Sequence, residues 1–360
     1  MSAKRKVFIA AAVVLAYMLF FIAVLASHGW DPGDFILEKR PEVPLEQGWD
    51  IGYDAQWYYQ IAADPLGAAG GLDLPAFRYQ RIVFPILIYL VSLGQVAWMP
   101  WAMLVINLAA AFLATYLLAD LLSRKYVSPW FALAFCGSFG YMLAMRLDLL
   151  EPLTIALALA GWKIYFEKKP DLGIILFALA GLTKEIGLVF PLSIIAWLLC
   201  ERRWREAAWL ALGSLLPYFT WRAYLQGVLG NPAKAIAQSR LSWPPFTGFE
   251  ELGNSTSMLF VGLWVMLPGI LCVLFILWQL RKGIAVLRQP QAYLVLAQFA
   301  MIAVLPRPTW LDPLAVLRTG LGLLAALILY LGASYPRALP YLAALYIPSC
   351  LLAFLVPGFI

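Results

Sequence analysis

The feature that most limits how this chain can fold is a series of long apolar runs separated by short polar turns. The first run covers residues 7–26 and the last covers residues 339–356. A helix that crosses a bilayer needs roughly 20 apolar residues in a row. The chain of 360 residues is 63% hydrophobic and only 13% charged, whereas a soluble domain has roughly 25% charged residues. The sequence therefore predicts an all-α polytopic membrane protein.

The charges between the apolar runs decide how many of them cross the membrane. The runs occupy residues 7–26, 82–98, 100–122, 127–145, 152–166, 172–183, 186–200, 207–225, 257–280, 291–305, 314–332 and 339–356. Basic residues beside spans are retained in the cytoplasm. Only if residues 82–98 lie along the membrane surface do the later basic clusters share a side with the basic N-terminus. This arrangement predicts about 11 transmembrane helices, with the N-terminus in the cytoplasm and the C-terminus outside.

The same assignment makes residues 1–360 a single transmembrane domain with two long loops outside the cytoplasm. The first loop covers residues 27–99 and is expected to contain interfacial helices. The second covers residues 226–256. We expect an integral protein of the cell (plasma) membrane, with its working surface on the extracytoplasmic side.

Several function classes are excluded by the remaining composition. The net charge is +6, but the basic residues form short clusters and no continuous stripe, so nucleic acid is not an expected partner. The four cysteines, Cys136, Cys200, Cys272 and Cys350, lack the paired spacing of disulfide frameworks or zinc sites. With a single histidine, His28, the chain is not expected to have a His-based metal site or catalytic triad.

Ionisable residues gather at the predicted outer edge of the membrane. A charge at the bilayer centre costs about 2.5–3.5 kcal/mol, so ionisable groups in or near spans are usually paired or functional. They are Asp50, Asp54, Arg78, Arg81, Arg146, Asp148, Glu151, Lys184, Glu185, Arg222, Asp312 and Arg318. Their convergence on one face predicts a single polar site outside the cytoplasm.

The strongest signal lies in the first outer loop, where residues 50–62 read DIGYDAQWYYQIA. As a helix, this segment places Asp54 on the same face as Trp57 and Tyr58. The aromatic rings would anchor the helix in the membrane interface and hold Asp54 at its rim. The alternative is an aromatic-belt helix whose Asp54 is only solvated or caps the helix.

Two arginines follow in the same loop, within RYQR at residues 78–81. Arg78 and Arg81 are about one helical turn apart, and their planar donors suit a single phosphate group. The alternative is that both arginines extend to lipid headgroups.

A later turn, RLDLLEP at residues 146–152, places Asp148 and Glu151 three residues apart. Pro152 favours a helix start at this point. The acids could therefore serve a site, or they could only stabilise the N-terminus of the helix.

A further turn, GLTKEIG at residues 181–187, lies between two apolar runs that are each shorter than roughly 20 residues. Lys184 and Glu185 are therefore expected below the outer membrane surface. A lysine in that position needs an anionic partner, which is expected to be Glu185, Asp148 or a substrate phosphate.

Taken in order, the motifs YDAQWYYQIA, RYQRIVFPIL, RLDLLEP and LTKE resemble the GT-C glycosyltransferases, especially mannosyltransferases and related bacterial enzymes. The resemblance covers roughly residues 1–200. It implies a GT-C-like fold. It also implies an inverting transfer of a sugar from a polyprenyl-phosphate carrier to an acceptor hydroxyl outside the cytoplasm.

The resemblance assigns catalytic roles to four carboxylates. The general base of the first outer loop corresponds to Asp54, and Asp50 lies four residues before it. The second outer acid of the family corresponds to Asp148, with Glu151 as its substitute. The wide spacing of the first two acids differs from the compact acidic pair of the family, so metal dependence stays open.

The resemblance and the charge pattern together predict the residues that bind the substrate. These are Arg78, Arg81, Lys184, Glu185, Arg146, Arg222, Arg318 and Tyr58. The basic residue of the family's first-loop helix corresponds to Arg81 or Arg78, and the lysine of its later turn to Lys184. A leaving phosphate needs positive charge where its own negative charge grows, and these cations would supply it.

The expected partners are a polyprenyl-phosphate sugar donor, membrane lipids, and an acceptor that is a glycan, a lipid or a protein. No cofactor is assigned, and a divalent metal stays an open option. The alternative from a different class is a transporter or flippase for a lipid-linked or anionic solute. Transport would favour polar groups near mid-span and an internal repeat, whereas the polar groups here gather at one face and no repeat is evident.

Overall fold

The computed structural model describes residues 3–36, 52–230, 241–253 and 255–355. Within these ranges all regular structure is helical, without a strand. The all-α prediction is therefore confirmed. Asp50 lies outside the described residues, as does much of the predicted second loop.

The described helices follow one another with short connections. In chain order they are α1 (Ala3–Ser27), α2 (Ala55–Ala63), α3 (Pro75–Tyr79), α4 (Val83–Val91), α5 (Met99–Ser123), α6 (Leu133–Cys136), α7 (Phe139–Arg146), α8 (Glu151–Phe166), α9 (Pro170–Thr183), α10 (Val189–Cys200), α11 (Trp204–Leu229), α12 (Ser255–Lys282), α13 (Pro290–Ala303), α14 (Arg307–Trp310), α15 (Pro313–Thr319), α16 (Leu321–Ser334) and α17 (Leu339–Tyr346). Short 3₁₀ turns join several of them, and a π turn, Gly262–Met266, interrupts α12.

Among the described residues, four helical segments are long and apolar enough to cross a membrane. They are Ala3–Ser27, Val96–Ser123, Ser255–Lys282 and Pro313–Ser334. Three shorter apolar helices, Pro170–Thr183, Glu185–Cys200 and Pro290–Ala303, accompany them. Length and composition thus fit an integral membrane protein, while the full number of about 11 spans stays a prediction.

The surface of these helices is apolar in the manner of a protein that faces lipid. Leu19 on α1, Leu212 on α11 and Leu271 on α12 are all more than half exposed. Soluble monomers rarely leave large contiguous apolar patches exposed. On α1, Leu15 and Ile22 are also exposed beside Leu19, so one face of this helix is a continuous apolar strip, which favours a hydrocarbon environment around it.

α5 lies at the centre of the bundle and packs against α1 on one side and α8 on another. Its buried face is rich in alanine, which allows helices to approach closely without a driving force from water. A comparable close approach occurs between α7 and α15. A Cβ atom added at Gly140 would lie 2.7 Å from the carbonyl oxygen of Leu317. This contact fixes the position of Arg318, the next residue of α15.

The described part of the segment between α1 and α5 contains three short α-helices, none of them long enough to span a bilayer. α4 has nine residues and is therefore about 14 Å long, less than half of the roughly 30 Å hydrocarbon core of a bilayer. Its residues Ile86, Leu90 and Val91 are exposed. These properties agree with the interfacial position predicted for residues 82–98.

Charged residues of the bundle collect at its two opposite ends. Lys6 of α1 and Lys163 of α8 both pair with Asp120 of α5, and we call this end the basic end. α8 begins at Glu151, 12 residues before Lys163, which corresponds to about 18 Å along the helix. Glu151 and Asp54 therefore lie at the other end of the bundle, which we call the loop end. The positive-inside rule predicts a cytoplasmic basic end.

The orientation can be tested by cysteine labelling in a background without the four native cysteines. A Cβ at Gly70 has open space around it, and Tyr126, in the turn after α5, is 99% exposed. In intact cells or right-side-out vesicles, an impermeant thiol reagent is expected to label Gly70→Cys and to reach Tyr126→Cys only after permeabilisation. The reverse pattern would contradict the predicted topology.

Candidate functional site

Eight charged side chains from four parts of the chain meet at the loop end. We call this group the charge cluster: Asp54, Asp73, Arg78, Arg81, Glu151, Lys184, Glu185 and Arg318. The first four belong to the segment between α1 and α5. The others lie at the start of α8, in the turn after α9, and on α15. The cluster therefore exists only when the first loop is docked on the bundle.

Asp54 occupies the middle of the cluster. Its Oδ1 accepts a hydrogen bond from Arg78 Nη1 at 2.8 Å, and its Oδ2 accepts one from Arg318 Nη2 at 3.3 Å. Arg81 Nη1 lies 3.7 Å from the same Oδ2. Asp54 directly precedes α2 and makes no side-chain capping bond to it. Its carboxylate is thus engaged by arginines and is not the simple helix cap that the sequence left as an alternative.

The loop holds its arginines with acids and aromatic rings. Arg78 donates from Nε and Nη2 to the two carboxylate oxygens of Asp73, each at 2.8 Å. This bidentate geometry is the strongest form of an Arg–carboxylate pair. Phe77 lies against the guanidinium groups of both Arg78 and Arg81, with ring centroids 5.4 and 4.7 Å away. The arginine planes are therefore fixed before any ligand binds.

Arg81 connects the loop to the turn after α9. Its Nη2 and Nε donate to Glu185 at 2.6 and 3.1 Å. Its Nη1 donates to the Tyr58 hydroxyl at 2.8 Å. Tyr58 is buried on α2, so this bond joins two parts of the loop, while the bonds to Glu185 tie the loop to the bundle.

The floor of the cluster is an ion triad inside the bundle. Glu151 Oε1 accepts hydrogen bonds from Lys184 Nζ at 2.5 Å and from Arg318 Nη1 at 2.7 Å. The Glu151 side chain is 0% exposed, whereas those of Asp73 and Glu185 are 38% and 36% exposed. Solvent exposure in the cluster therefore decreases from Asp73 and Glu185 at its outer side to Glu151 at its floor.

The charges of the cluster are already balanced, because four cations face four carboxylates. Burial acts to raise the pKa of Asp54, but the positive charges of Arg78, Arg318 and Arg81 hold that pKa well below its usual range. Asp54 is therefore ionised and tightly held. Because each of the four cations already faces a carboxylate, an anionic ligand can bind here only by displacing a carboxylate from one of the cations.

Two polar atoms at the base of the cluster have no hydrogen-bond partner among the described residues, namely Arg318 Nε and Glu151 Oε2. Buried polar atoms are nearly always paired, so each exception asks for an explanation. Arg318 also makes the longer of the two hydrogen bonds to Asp54. Arg318 Nε can thus donate a hydrogen bond to a ligand while Arg318 Nη1 keeps its bond to Glu151.

Tyr53 and Asp312 lie beside the cluster. The Tyr53 hydroxyl donates to Asp312 Oδ2 at 2.7 Å, and Arg318 lies over the Tyr53 ring at 5.0 Å. Asp312 also caps α15 through the backbone N–H of Leu314. This contact fastens the loop to the start of α15.

Several residues predicted for the site lie elsewhere. Arg146 Nη1 donates to the carbonyl oxygen of Asp34 at 2.9 Å and covers the Phe35 ring, so it fastens the segment after α1 to α7. Asp148 is in the turn between α7 and α8 with φ 49°, and its Oδ1 accepts from Asn107 Nδ2 at 2.5 Å. Because α8 begins only at Glu151, Glu151 and not Asp148 reaches the cluster.

Arg222 lies on α11 near the edge of the cluster. It is one turn beyond Tyr218, whose hydroxyl donates to Gln80 at 3.4 Å. Gln80 directly precedes Arg81 in the chain. Among the described residues, no ion pair joins Arg222 to the cluster.

Asp73 and Asn107 were not singled out from the sequence. Pro75 was a usable signal for Asp73, because Pro is favoured at the first position of a helix and Asp73 lies just before the helix that carries Arg78. Asn107 was detectable as a lone amide in an apolar span. Its partner was not, because residues 107 and 148 meet only through the tertiary fold.

The described residues contain no group of three or more His, Cys, Asp and Glu side chains able to hold a metal ion. No protein-family model, curated protein or solved structure matches this chain. The similarity to GT-C glycosyltransferases therefore depends on the quoted motifs alone.

The buried triad makes a prediction about stability. Glu151→Gln removes the negative charge between Lys184 and Arg318, so that Lys184 loses its ion-pair partner while Arg318 is left with its longer bond to Asp54. Breaking a buried ion pair on one side costs about 3–5 kcal/mol. We expect Glu151→Gln to lower the free energy of unfolding in mixed micelles by an amount of that order.

The matched control is Glu206→Gln, which breaks an exposed pair with Arg203 at the other end of the bundle. An exposed ion pair contributes about 0–1 kcal/mol, so this variant should unfold nearly as the native protein does. Equal stabilities of the two variants would show that the triad does not hold the bundle together.

Proposed function

We propose that this chain is a membrane glycosyltransferase of the GT-C type. It transfers a sugar from a polyprenyl-phosphate-linked donor to a hydroxyl group of a glycan, lipid or protein acceptor, on the extracytoplasmic side and with inversion. The observation that carries this proposal is the half-buried carboxylate of Asp54, held between guanidinium groups from the loop and from α15. A carboxylate beside several guanidinium groups supports the assignment of a base next to donors for a phosphate.

The position of the cluster supports a donor carried by a lipid. The buried floor of the cluster is formed by the ends of apolar helices, and its solvated side is formed by the first loop. A phosphate attached to a prenyl chain can bring its headgroup to such a boundary while its chain stays in hydrocarbon. A freely soluble nucleotide sugar has no hydrocarbon chain that would hold it at a membrane surface.

The reaction assigns a distinct task to each part of the cluster. The acceptor oxygen attacks the anomeric carbon, and the bond from that carbon to the phosphate oxygen breaks. The polyprenyl phosphate leaves with the bonding electron pair, and Arg78, Arg81 and Arg318 stabilise its growing charge. The proton of the acceptor hydroxyl passes to Asp54, a transfer worth typically 10²–10⁴ in rate.

Donor binding would also activate the base. With its pKa held well below the usual range by the arginines, Asp54 is a poor proton acceptor. A donor phosphate competes for Arg78 and Arg318, and each guanidinium that leaves Asp54 raises the pKa of its carboxyl group. The base therefore becomes effective only when the donor is in place.

The variant Asp54→Asn tests the proposed base. In proteoliposomes supplied with a polyprenyl-phosphate sugar and an acceptor, we expect sugar transfer to fall by about 10²-fold or more. Asn keeps the size of the side chain, so the variant is expected to elute as a folded protein. Asp64→Asn is the matched control, because Asp64 is in the same loop but outside the charge cluster, and its side chain accepts a hydrogen bond from the backbone N–H of Gly67.

The proposal requires a large difference between these two variants. If Asp54→Asn turned over at a rate close to that of Asp64→Asn, Asp54 would lose its assigned role. If the native protein moved the intact lipid-linked sugar across vesicles without any transfer, the chain would be a transporter.

A further inference from the structure

A cavity with several basic residues in its lining lies at the basic end of the bundle, far from the charge cluster. Its volume is about 250 Å³, much larger than the space that one water molecule needs. The ends of α5, α8 and α16 and the start of α13 form its walls. The cavity thus belongs to the bundle itself and does not involve the loop that carries Asp54.

The polar wall of this cavity is strongly basic. Arg124, Lys125 and Lys163 line it together with one acid, Glu167. Asp120 lies behind this wall and pairs with Arg124 and Lys163 at 2.9 and 3.0 Å.

Lys6 also pairs with Asp120. Four cations therefore face two carboxylates, which leaves two positive charges in excess. Lys125 has no ion pair with any residue that the structure describes. The basic wall is positioned by its acids but is not neutralised by them.

The rest of the cavity lining is mostly apolar and aromatic. Trp162 and Leu329 are almost fully buried, while Phe166 is 40% exposed at the edge. A soluble anion would gain nothing from these side chains. A ligand with a negatively charged head and a hydrocarbon tail would match both parts of the lining.

We infer that this cavity binds the headgroup of an anionic phospholipid, with the phosphate at Lys125 and Lys163 and an acyl chain along Phe166. Basic cavities between transmembrane helices are suited to anionic lipid headgroups. The C-terminal ends of α5 and α8 meet here, so without these cations the helix dipoles would repel an anion. The inference is independent of the proposed sugar transfer, because the two sites share no residue.

Native mass spectrometry of the detergent-purified, full-length protein can test the site. The protein is titrated with phosphatidylglycerol or with phosphatidylcholine of the same acyl chains. We expect tighter retention of phosphatidylglycerol. Lys125→Gln should weaken that retention about fivefold, the loss typical of one basic residue near an anionic lipid.

Two further variants separate this site from general surface charge. Ala333 lines the cavity, so Ala333→Phe fills it and should abolish the preference for phosphatidylglycerol while leaving all charges unchanged. Arg205 is an exposed basic residue outside the lining, so Arg205→Gln should retain the native preference. Near-native helical circular dichroism would show that each variant is folded.

Three outcomes would overturn the inference. The first is equal retention of the two lipids by the native protein. The second is a loss in Arg205→Gln as large as that in Lys125→Gln. The third is displacement of phosphatidylglycerol by millimolar inorganic phosphate, which would identify a site for a soluble anion.

Discussion

The ionised Glu151 at the base of the charge cluster is the constraint on which the loop end of this structure depends. A fully buried carboxylate is tolerated only when cations compensate it, and its two partners lie 33 and 167 residues further along the chain. The ion pairs of Glu151 with Lys184 and Arg318 therefore bring together α8, the turn after α9, and α15. Once Arg318 is in place, its second Nη atom reaches Asp54. The loop is thus docked by the same residue that completes the buried triad.

The opposite ends of the bundle use charge in different ways. At the loop end, acids and arginines balance each other and Asp54 is held in a central position, which suits a site where groups exchange partners during a reaction. At the basic end, Asp120 gathers cations around itself and a positive excess remains. Between them lies an apolar bundle about 18 Å deep, measured along α8 from Glu151 to Lys163. This separation allows the proposed donor site and the inferred phospholipid site to coexist in one small chain.

The sequence predicted the helical class and the gathering of charges at one end, because hydrophobic periodicity and charge bias are local signals. The interfacial position of residues 82–98 stays a prediction, with which the short α4 agrees. The sequence also predicted that Lys184 needs an anionic partner, but it named Glu185, Asp148 or a substrate phosphate, whereas Glu151 is the acid that pairs with Lys184. It could not select between Asp148 and Glu151, because that choice depends on a positive φ in one turn and on where α8 begins. The partners of Arg146 and Asn107 depend on helix packing over more than 40 residues, which no local pattern encodes.

The most direct test of the site at the loop end is the affinity of the purified protein for a short-chain prenyl phosphate, measured against the prenol of the same length. The native protein is expected to bind the phosphate at least tenfold more tightly, the factor of about 1.4 kcal/mol that a charge-assisted bond to arginine readily supplies. Arg318→Gln and Arg78→Gln should each reduce this preference. Equal affinities for the phosphate and the prenol, unchanged in both variants, would contradict the assignment of the charge cluster to a lipid-phosphate donor.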